Sequence, residues 1–187
     1  MRSIPDFVNE NEFIEILKKL SWDVSDLLKS YNRTLNTSKE FKENLKIINK
    51  ENGPVTEADL AVSNLIKRRI TKYYPNANWD FLDEEDNLNN TFSLPWVWII
   101  DPLDGTKDFI NQTGEYAMHL ALTYKKMPVF GIVLIPSREE LWISQRKVGS
   151  WCESKSGKIK NFSPIKHKTF EEFKIVTSRS HMPVKFV

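Results

Sequence analysis

The sequence has 187 residues, with 27 Lys or Arg against 25 Asp or Glu, and its net charge of +2 gives no argument for nucleic-acid binding. Hydrophobic residues make up 40% and charged residues 28%, a balance typical of a globular domain rather than of a disordered segment. No apolar run is long enough to span a membrane, no apolar signal core begins the chain, and Cys152 is the only cysteine, so we expect a cytoplasmic protein without an integral membrane segment or an internal disulfide.

The first predicted element is an amphipathic helix from about Glu10 to Tyr31. Its apolar residues recur at three- and four-residue steps, which places them on one stripe that faces a core. They are Phe13, Ile16, Leu17, Leu20, Val24, Leu27, Leu28 and Tyr31. A polar connection follows, and the stretch Phe41–Asn49 is either a strand or the end of a helix, two alternatives that its pattern leaves open.

A second helix is predicted to start after Thr56. Thr56 followed three residues later by Asp59 is a variant of the capping box, in which two side chains satisfy backbone N–H groups at the start of a helix. The helix would then run to Tyr73. Taken as local structure alone, capping accounts fully for both residues.

Acidic residues follow a short apolar stretch that begins at Trp79. The four consecutive acids Asp83–Asp86 are compatible with an ordinary solvated charge run, and the basic cluster Lys67–Arg69 is likewise interpreted as a solvated face. A strand that ends in carboxylates is the sharper alternative. In that case Glu84 or a neighbour would supply an oxygen donor to a site built elsewhere in the chain.

The stretch from Trp96 to Phe109 combines a strand pattern with reactive side chains. A continuous apolar run stops at Asp101, and a proline, a second acid at Asp104 and then Gly105 follow, which predicts a buried strand that enters a tight polar turn. Two carboxylates that converge on one point repel each other unless a cation lies between them, and Mg²⁺ prefers such oxygen ligands. The alternative is a turn in which both acids only cap the backbone.

Alternating and apolar runs after this turn predict an antiparallel meander. Its strands are expected at Glu115–Tyr124, Val129–Ile135, Leu141–Ser144 and Val148–Cys152, with His119 as an ordinary sheet residue. The stretch Glu153–Lys168 is predicted to be a loop or linker, and a new strand begins near Phe173. We therefore expect an α+β layered domain over residues 1–168 and the start of a second domain over residues 169–187.

Four motifs, in order, resemble those of the inositol monophosphatase-like, lithium-sensitive, Mg²⁺-dependent phosphatases. The signature is the run Asp101-Pro102-Leu103-Asp104-Gly105-Thr106-Lys107-Asp108-Phe109. The other matches are Pro54-Val55-Thr56-Glu57-Ala58-Asp59, the acidic stretch Leu82–Asp86, and Gly114-Glu115-Tyr116. Within that superfamily, Lys107, the Gly114-Glu115-Tyr116 motif and the stretch Thr177–His181 are most similar to the CysQ-type 3'(2'),5'-bisphosphate nucleotidases.

The resemblance implies a metal centre with two or more Mg²⁺ ions. Glu84, Asp101 and the backbone carbonyl of Leu103 would hold one ion. Asp101 would also bridge to a second ion, which Asp104 would hold as well. Two ions that share a carboxylate can stabilise both the attacking and the leaving oxygen of an in-line displacement.

The resemblance also implies catalytic and substrate-binding roles. Asp59, Glu84 and Thr106 would be the catalytic residues, with Asp59 and Thr106 orienting the water that attacks phosphorus. Because a threonine hydroxyl is not a strong base, Thr106 would align the water or relay a proton. Asp104 and the N–H groups of Gly105 and Thr106 would contact the substrate.

Two features depart from the family pattern. Asp83 stands where the family usually has serine, which adds an acid near the metals but spares Glu84. Family members also continue into a domain whose W-D-x-A-type motif completes the second metal site, whereas residues 109–187 contain no Asp. The implied fold is therefore a layered α/β sandwich of N-terminal helices and an antiparallel sheet, with the second α/β domain truncated, an apolar sheet face exposed and one metal ligand missing.

The expected activity is hydrolysis of 3'-phosphoadenosine 5'-phosphate to AMP and phosphate, in sulfur assimilation. An inositol monophosphatase or a sugar-bisphosphatase is the enzymatic alternative. A non-catalytic remnant that binds metal or a partner is the alternative from another class, and the missing Asp favours it. The expected ligand is a small phosphorylated nucleotide, no nucleic acid is expected as a partner, and a homodimer is compatible with the sequence.

Overall fold

The computed structural model describes residues 4–5, 8–37, 48–50, 53–86 and 93–162. Its helices are α1 (Glu10–Thr37), α2 (Glu57–Tyr73) and the short α3 (Thr106–Ile110). Its strands are β1 (Ile48–Lys50), β2 (Gly53–Val55), β3 (Asp80–Asp83), β4 (Trp96–Asp104), β5 (Ala117–Tyr124), β6 (Met127–Ile135), β7 (Glu140–Gln145), β8 (Gly149–Ser154) and β9 (Ile159–Phe162). None of the described helices combines the length and the apolar character needed to cross a membrane.

Seven strands form one sheet in the order β3-β4-β5-β6-β7-β8-β9. The pair β3 and β4 is parallel, and each later neighbouring pair is antiparallel. Parallel strands end at the same edge of a sheet, so Asp83 at the end of β3 lies opposite Ile100, one residue before Asp101. This pairing brings the acidic stretch and the signature turn together.

One face of the sheet forms the core with α1 and α2. The ring of Phe13 on α1 lies 5.9 Å from that of Trp98 and 5.3 Å from that of Phe130, measured between centroids. Alternate residues of the central strands face this core, because successive side chains of a strand point to opposite faces of the sheet, and for β5 the sequence alternation predicts this. They include Trp98, Ile100, Met118, Leu120, Leu122, Ile132 and Leu134, which are all buried. The core therefore holds β4, and with it the signature turn, in a fixed position.

The prediction of a buried strand before the turn holds only for alternate residues of β4. Trp98 and Ile100 are buried, whereas Ile99 between them is 39% exposed. Trp142 on β7 is 36% exposed. Its cross-strand partners, Val133 and Cys152, and the register of β4 to β8 place it on the same face of the sheet as Ile99. One face of the sheet is thus the core and the other is accessible.

Several boundaries differ from the predictions. The first helix continues to Thr37, beyond Tyr31. The sheet is not wholly antiparallel, because β3 joins it in parallel. The loop predicted over Glu153–Lys168 is wrong for its first part, since β8 continues to Ser154 and β9 follows. A short turn with Gly157 at φ 83° reverses the chain there, and an edge strand needs no apolar alternation.

Two predicted stretches lie largely or wholly outside the described residues. Of Phe41–Asn49, the structure describes only the last two residues, at the start of β1. The predicted strand near Phe173 and the second domain over residues 169–187 lie outside the described part of the chain.

Candidate active site

The start of α2 supplies the first part of the site. The Thr56 hydroxyl accepts a hydrogen bond from the N–H of Ala58 at 3.1 Å, and the N–H of Thr56 donates to Oδ2 of Asp59 at 2.8 Å. The same hydroxyl donates to that Oδ2 at 2.5 Å. Asp59 is 1% exposed, and burial raises the pKa of its carboxyl although the Thr56 hydrogen bonds act in the opposite direction. The predicted capping box is confirmed, and it fixes the direction of the Asp59 carboxylate.

The other oxygen of Asp59 faces the turn after β4. The hydroxyl of Thr106, the first residue of α3, lies 3.2 Å from Oδ1 of Asp59 and 3.1 Å from the carbonyl oxygen of Leu103. Because a hydroxyl carries one proton, it donates to only one of these acceptors at a time. When it donates to Asp59, its lone pairs can accept a hydrogen bond from water. A buried carboxylate is therefore one of the two acceptors that can orient the Thr106 hydroxyl.

Gly105 allows the chain to turn from β4 into α3. Its φ of 84° lies in the left-handed region, and a Cβ atom at this position would lie 2.7 Å from the carbonyl oxygen of Glu115. The main chain passes too close for a side chain to fit without a shift. The first N–H groups of a helix have no acceptor within the helix, so the first turn of α3 offers backbone donors to an anionic oxygen.

Acidic side chains gather where β3 and β4 end. The N–H of Glu84 donates to the carbonyl oxygen of Ile100 at 3.1 Å, which places Glu84 beside the signature turn. Partial burial and the Asp101 carboxylate raise the pKa of Glu84 to about 7, with smaller contributions from Glu85 and Asp104. Burial raises the pKa of Asp101 too, although its hydrogen bond with Glu84 opposes the change. Glu84 and Asp104 remain exposed residues, so solvent reaches the cluster.

This donor set fits a hard divalent cation. Oδ1 of Asp101 is buried and has no hydrogen-bond partner among the described residues. Glu84, Asp101 and Asp104 offer carboxylate oxygens, the ligands that Mg²⁺ prefers, and a cation would balance the charge that raises the pKa of Glu84. Within the described ranges, no three acidic, His or Cys side chains already stand at coordination spacing. The side chains would therefore have to close around an ion.

His119 on β5 is a neighbour of the site that the sequence pattern did not reveal. Its Nδ1 lies 3.7 Å from Oδ2 of Asp101, and its Nε2 lies 3.8 Å from Oδ2 of Asp104. The register pairs His119 directly with Asp101 across β4 and β5. It is a sheet residue, as expected, but one that faces both carboxylates.

A second set of contacts joins α2 to the end of β3. The Asp83 carboxylate is fully buried and accepts hydrogen bonds from the Ser63 hydroxyl and, at 2.9 Å, from the N–H of Glu85. The Lys67 ammonium lies 2.8 Å from Asp83 and 2.9 Å from Asp86. The interpretation of Lys67–Arg69 as a solvated face is therefore wrong for Lys67. Asp83 stands where the family usually has serine, and the sequence predicts that it adds an acid near the metals. Its side chain contacts Ser63 and Lys67 of α2 and the backbone N–H of Glu85.

The structure thus brings the sequence-predicted site residues to one end of the sheet. They are Asp59, Glu84, Asp101, Leu103, Asp104, Gly105 and Thr106. Asp59 comes from α2, Glu84 follows β3, and the others lie in β4 and the turn into α3.

Comparison with known proteins identifies a family with which this chain shares its sequence pattern. Residues 9–186 match the model of the inositol monophosphatase family. The 3'(2'),5'-bisphosphate nucleotidase CysQ of Buchnera aphidicola subsp. Acyrthosiphon pisum is 31% identical over 133 residues, which cover 70% of this chain and 48% of that protein. The fructose-1,6-bisphosphatase/inositol-1-monophosphatase of Aquifex aeolicus is 28% identical over 162 residues, which cover 85% of this chain and 57% of that protein.

Solved structures share the fold. Inositol monophosphatase II from Staphylococcus aureus MSSA476 matches with a TM-score of 0.64 at 20% identity, over 84% of this chain and 52% of that chain. The predicted α+β architecture is confirmed by this likeness. The chain spans about half the length of these relatives.

Proposed function

This chain belongs to the inositol monophosphatase family, and from that membership we propose that it is a Mg²⁺-dependent phosphomonoesterase. The observation that carries the proposal is the hydrogen bond from Thr106 to the buried Asp59 beside the carboxylate cluster. A buried acid that orients a hydroxyl can align an attacking water, and nearby oxygen ligands and backbone donors can hold a metal and a phosphate group. This combination supports water attack on a phosphate ester.

The metal would be held by the carboxylates Glu84, Asp101 and Asp104 and by the carbonyl oxygen of Leu103. The signature turn positions the last three, and the pairing of β3 with β4 positions Glu84. When bound, two such ions neutralise charge on the transferring phosphoryl group and activate water as a nucleophile.

The remaining groups act on water and on the phosphate. Thr106 accepts a hydrogen bond from the attacking water while its own proton is directed to Asp59, which limits the directions that the water can adopt. The N–H groups of Gly105 and Thr106 bind phosphate oxygens at the first turn of α3. Asp104, at the exposed edge of the cluster, contacts the rest of the substrate.

For the substrate we propose 3'-phosphoadenosine 5'-phosphate, cleaved to AMP and phosphate in the cytoplasm during sulfur assimilation. The identity to the CysQ protein of Buchnera aphidicola supports this choice. A second candidate, an inositol or sugar phosphate, is favoured by the Aquifex aeolicus relative, whose match covers 85% of this chain.

Phosphate release distinguishes these candidates. The 187-residue chain is incubated with Mg²⁺ and with 3'-phosphoadenosine 5'-phosphate, inositol 1-phosphate or fructose 1,6-bisphosphate, beside Asp101→Asn as the matched inactive variant. We expect the fastest release from the nucleotide and none above background from Asp101→Asn. Faster release from the inositol or sugar ester would favour the second candidate. Release from none of them would contradict the phosphatase proposal for this chain.

A further inference from the structure

One face of α2 contacts both halves of the candidate site. Asp59, Ser63 and Lys67 are spaced four residues apart, so they lie above one another on the same side of the helix. Asp59 contacts Thr106 in the turn after β4. Ser63 and Lys67 contact Asp83 at the end of β3. The helix therefore links the element that orients water to the element that carries Glu84.

Asp83 holds the backbone that follows Glu84. Its Oδ1 accepts the N–H of Glu85 at 2.9 Å, and its main-chain carbonyl accepts the N–H of Asp86 at 3.1 Å. The N–H of Glu84 itself donates to the carbonyl oxygen of Ile100 at 3.1 Å. Few backbone degrees of freedom remain for the turn that presents the Glu84 side chain.

The burial of Asp83 needs compensation, and α2 provides it. A carboxylate loses its hydration when it is buried, which is costly unless the charge is paired and its oxygens are hydrogen-bonded. Ser63 and Lys67 meet both requirements at Oδ2. Lys67 also pairs with Asp86, so one cation balances two of the four consecutive acids and leaves Glu84 facing Asp101.

We propose that Asp83 is a positioning residue that, together with Ser63 and Lys67, holds Glu84 in place for metal binding. This inference rests on the proposed function, in which Glu84 is a metal ligand. Asp83 does not touch the ion or the substrate in this scheme and acts through the backbone of Glu84 and Glu85. Groups that orient a metal ligand in this way typically change metal affinity by about 10- to 100-fold when they are removed.

The test uses Mn²⁺, a spectroscopic probe that suits the same carboxylate ligands as Mg²⁺. Mn²⁺ affinity is measured by electron paramagnetic resonance in the full chain, in Asp83→Asn, in Lys67→Met and in Asp86→Asn. The last variant is the matched control, because it removes the exposed partner of Lys67 and leaves the buried one. Amide hydrogen exchange is measured in the metal-free proteins at Glu84, at Glu85 and, as a core reference, at Leu120.

We expect Asp83→Asn to bind Mn²⁺ about tenfold more weakly or worse, with faster exchange at Glu84 and Glu85 and unchanged exchange at Leu120. Lys67→Met should show the same effect and Asp86→Asn neither. Unchanged Mn²⁺ affinity in Asp83→Asn would overturn the proposal, as would exchange that accelerates equally at Leu120, since the role would then be structural only.

Failure of the proposed function gives a different result. If the unaltered chain binds no Mn²⁺, the metal assignment is wrong, and the exchange rates at Glu84 and Glu85 alone decide whether Asp83 positions the turn. If Asp83→Asn does not fold, Ser63→Ala and Lys67→Met make the same comparison from the α2 side. Unchanged exchange at Glu85 in both would overturn the proposal.

Discussion

Among single residues, Thr106 provides the sharpest test of the proposed chemistry. Its one hydroxyl proton can be donated either to Oδ1 of Asp59 at 3.2 Å or to the carbonyl oxygen of Leu103 at 3.1 Å. Thr106→Val keeps the shape and removes the hydroxyl, so we expect kcat for phosphate release to fall about 100-fold or more, with little change in KM. Thr106→Ser keeps the hydroxyl and should retain most of the rate. Equal rates for the valine variant and the unaltered chain would remove Thr106 from the mechanism.

A comparison of Gly105 with Gly157 distinguishes the cost of a positive φ from the cost of a close contact with the main chain. Both have nearly the same positive φ, 84° and 83°, so alanine incurs a similar conformational cost at either position, about 1–2 kcal/mol. A Cβ atom at Gly105 would also lie 2.7 Å from the Glu115 carbonyl oxygen, whereas nothing lies within 4 Å at Gly157. We expect Gly105→Ala to lower the free energy of unfolding by at least about 1 kcal/mol more than Gly157→Ala, because of this overpacking. Urea denaturation measures both, and equal losses would contradict the close approach.

Among the elements, α2 links helix stability to the site through its first turn. Thr56→Ala removes the N-cap hydroxyl, which should lower the free energy of unfolding by about 1 kcal/mol. It also removes one of the hydrogen bonds that direct the Asp59 carboxylate, so phosphate release should fall as well. Thr56→Ser keeps both interactions and should preserve stability and rate. Thermal unfolding and phosphate release measure the two effects, and an alanine variant with undiminished activity would show that the cap does not orient Asp59.

The contacts of α2 show which features of the structure can be predicted from local sequence spacing and which cannot. Thr56 and Asp59 predict where α2 begins because capping depends on residues three apart in the chain. The strand alternation likewise predicts which residues of β5 face the core. The contacts of His119 with Asp101 and of Lys67 with Asp83 depend on the strand register and on helix packing, which no local spacing encodes. The site residues were predicted through a family resemblance, whereas these two contacts had no motif to reveal them.

The edge strand β9 and the parallel pairing of β3 were not predicted, for a related reason. A strand is visible in a sequence when one of its faces is buried, since burial selects alternating apolar residues. The strand β9 has three exposed residues out of four, so its sequence carries little of this signal. The parallel pairing of β3 with β4 was missed too, because pairing direction follows from the connection and not from the composition of the strands.

For the molecule as a whole, the clustered acids couple stability to pH. The folded-state pKa of Glu84 is raised from 4.5 to about 7, so between these values the metal-free folded protein binds more protons than the unfolded chain. This contribution is fully present below the unfolded pKa and is lost as pH rises through the folded pKa. Relative to Glu84→Gln, the unaltered chain should therefore gain stability as pH falls from about 8 to about 5. Urea denaturation in the presence of a chelator measures this, and a pH-independent difference between the two proteins would contradict it.

The accessible face of the sheet is expected to bind an apolar dye. Ile99 is 39% exposed and Trp142 is 36% exposed on this face, with the half-buried Ala121, Gly131 and Val133 of β5 and β6 between their strands, whereas Val148 is 62% exposed in the turn between β7 and β8. A fluorescent dye such as ANS binds contiguous apolar surface and gains little from a single side chain. We expect Ile99→Thr to reduce dye fluorescence and Val148→Thr to leave it nearly unchanged, because both changes keep a β-branched shape and differ only in the surface they interrupt. Equal reductions would mean that exposure of each residue, and not continuity of the face, governs binding. No reduction in either variant would contradict binding of the dye to this face.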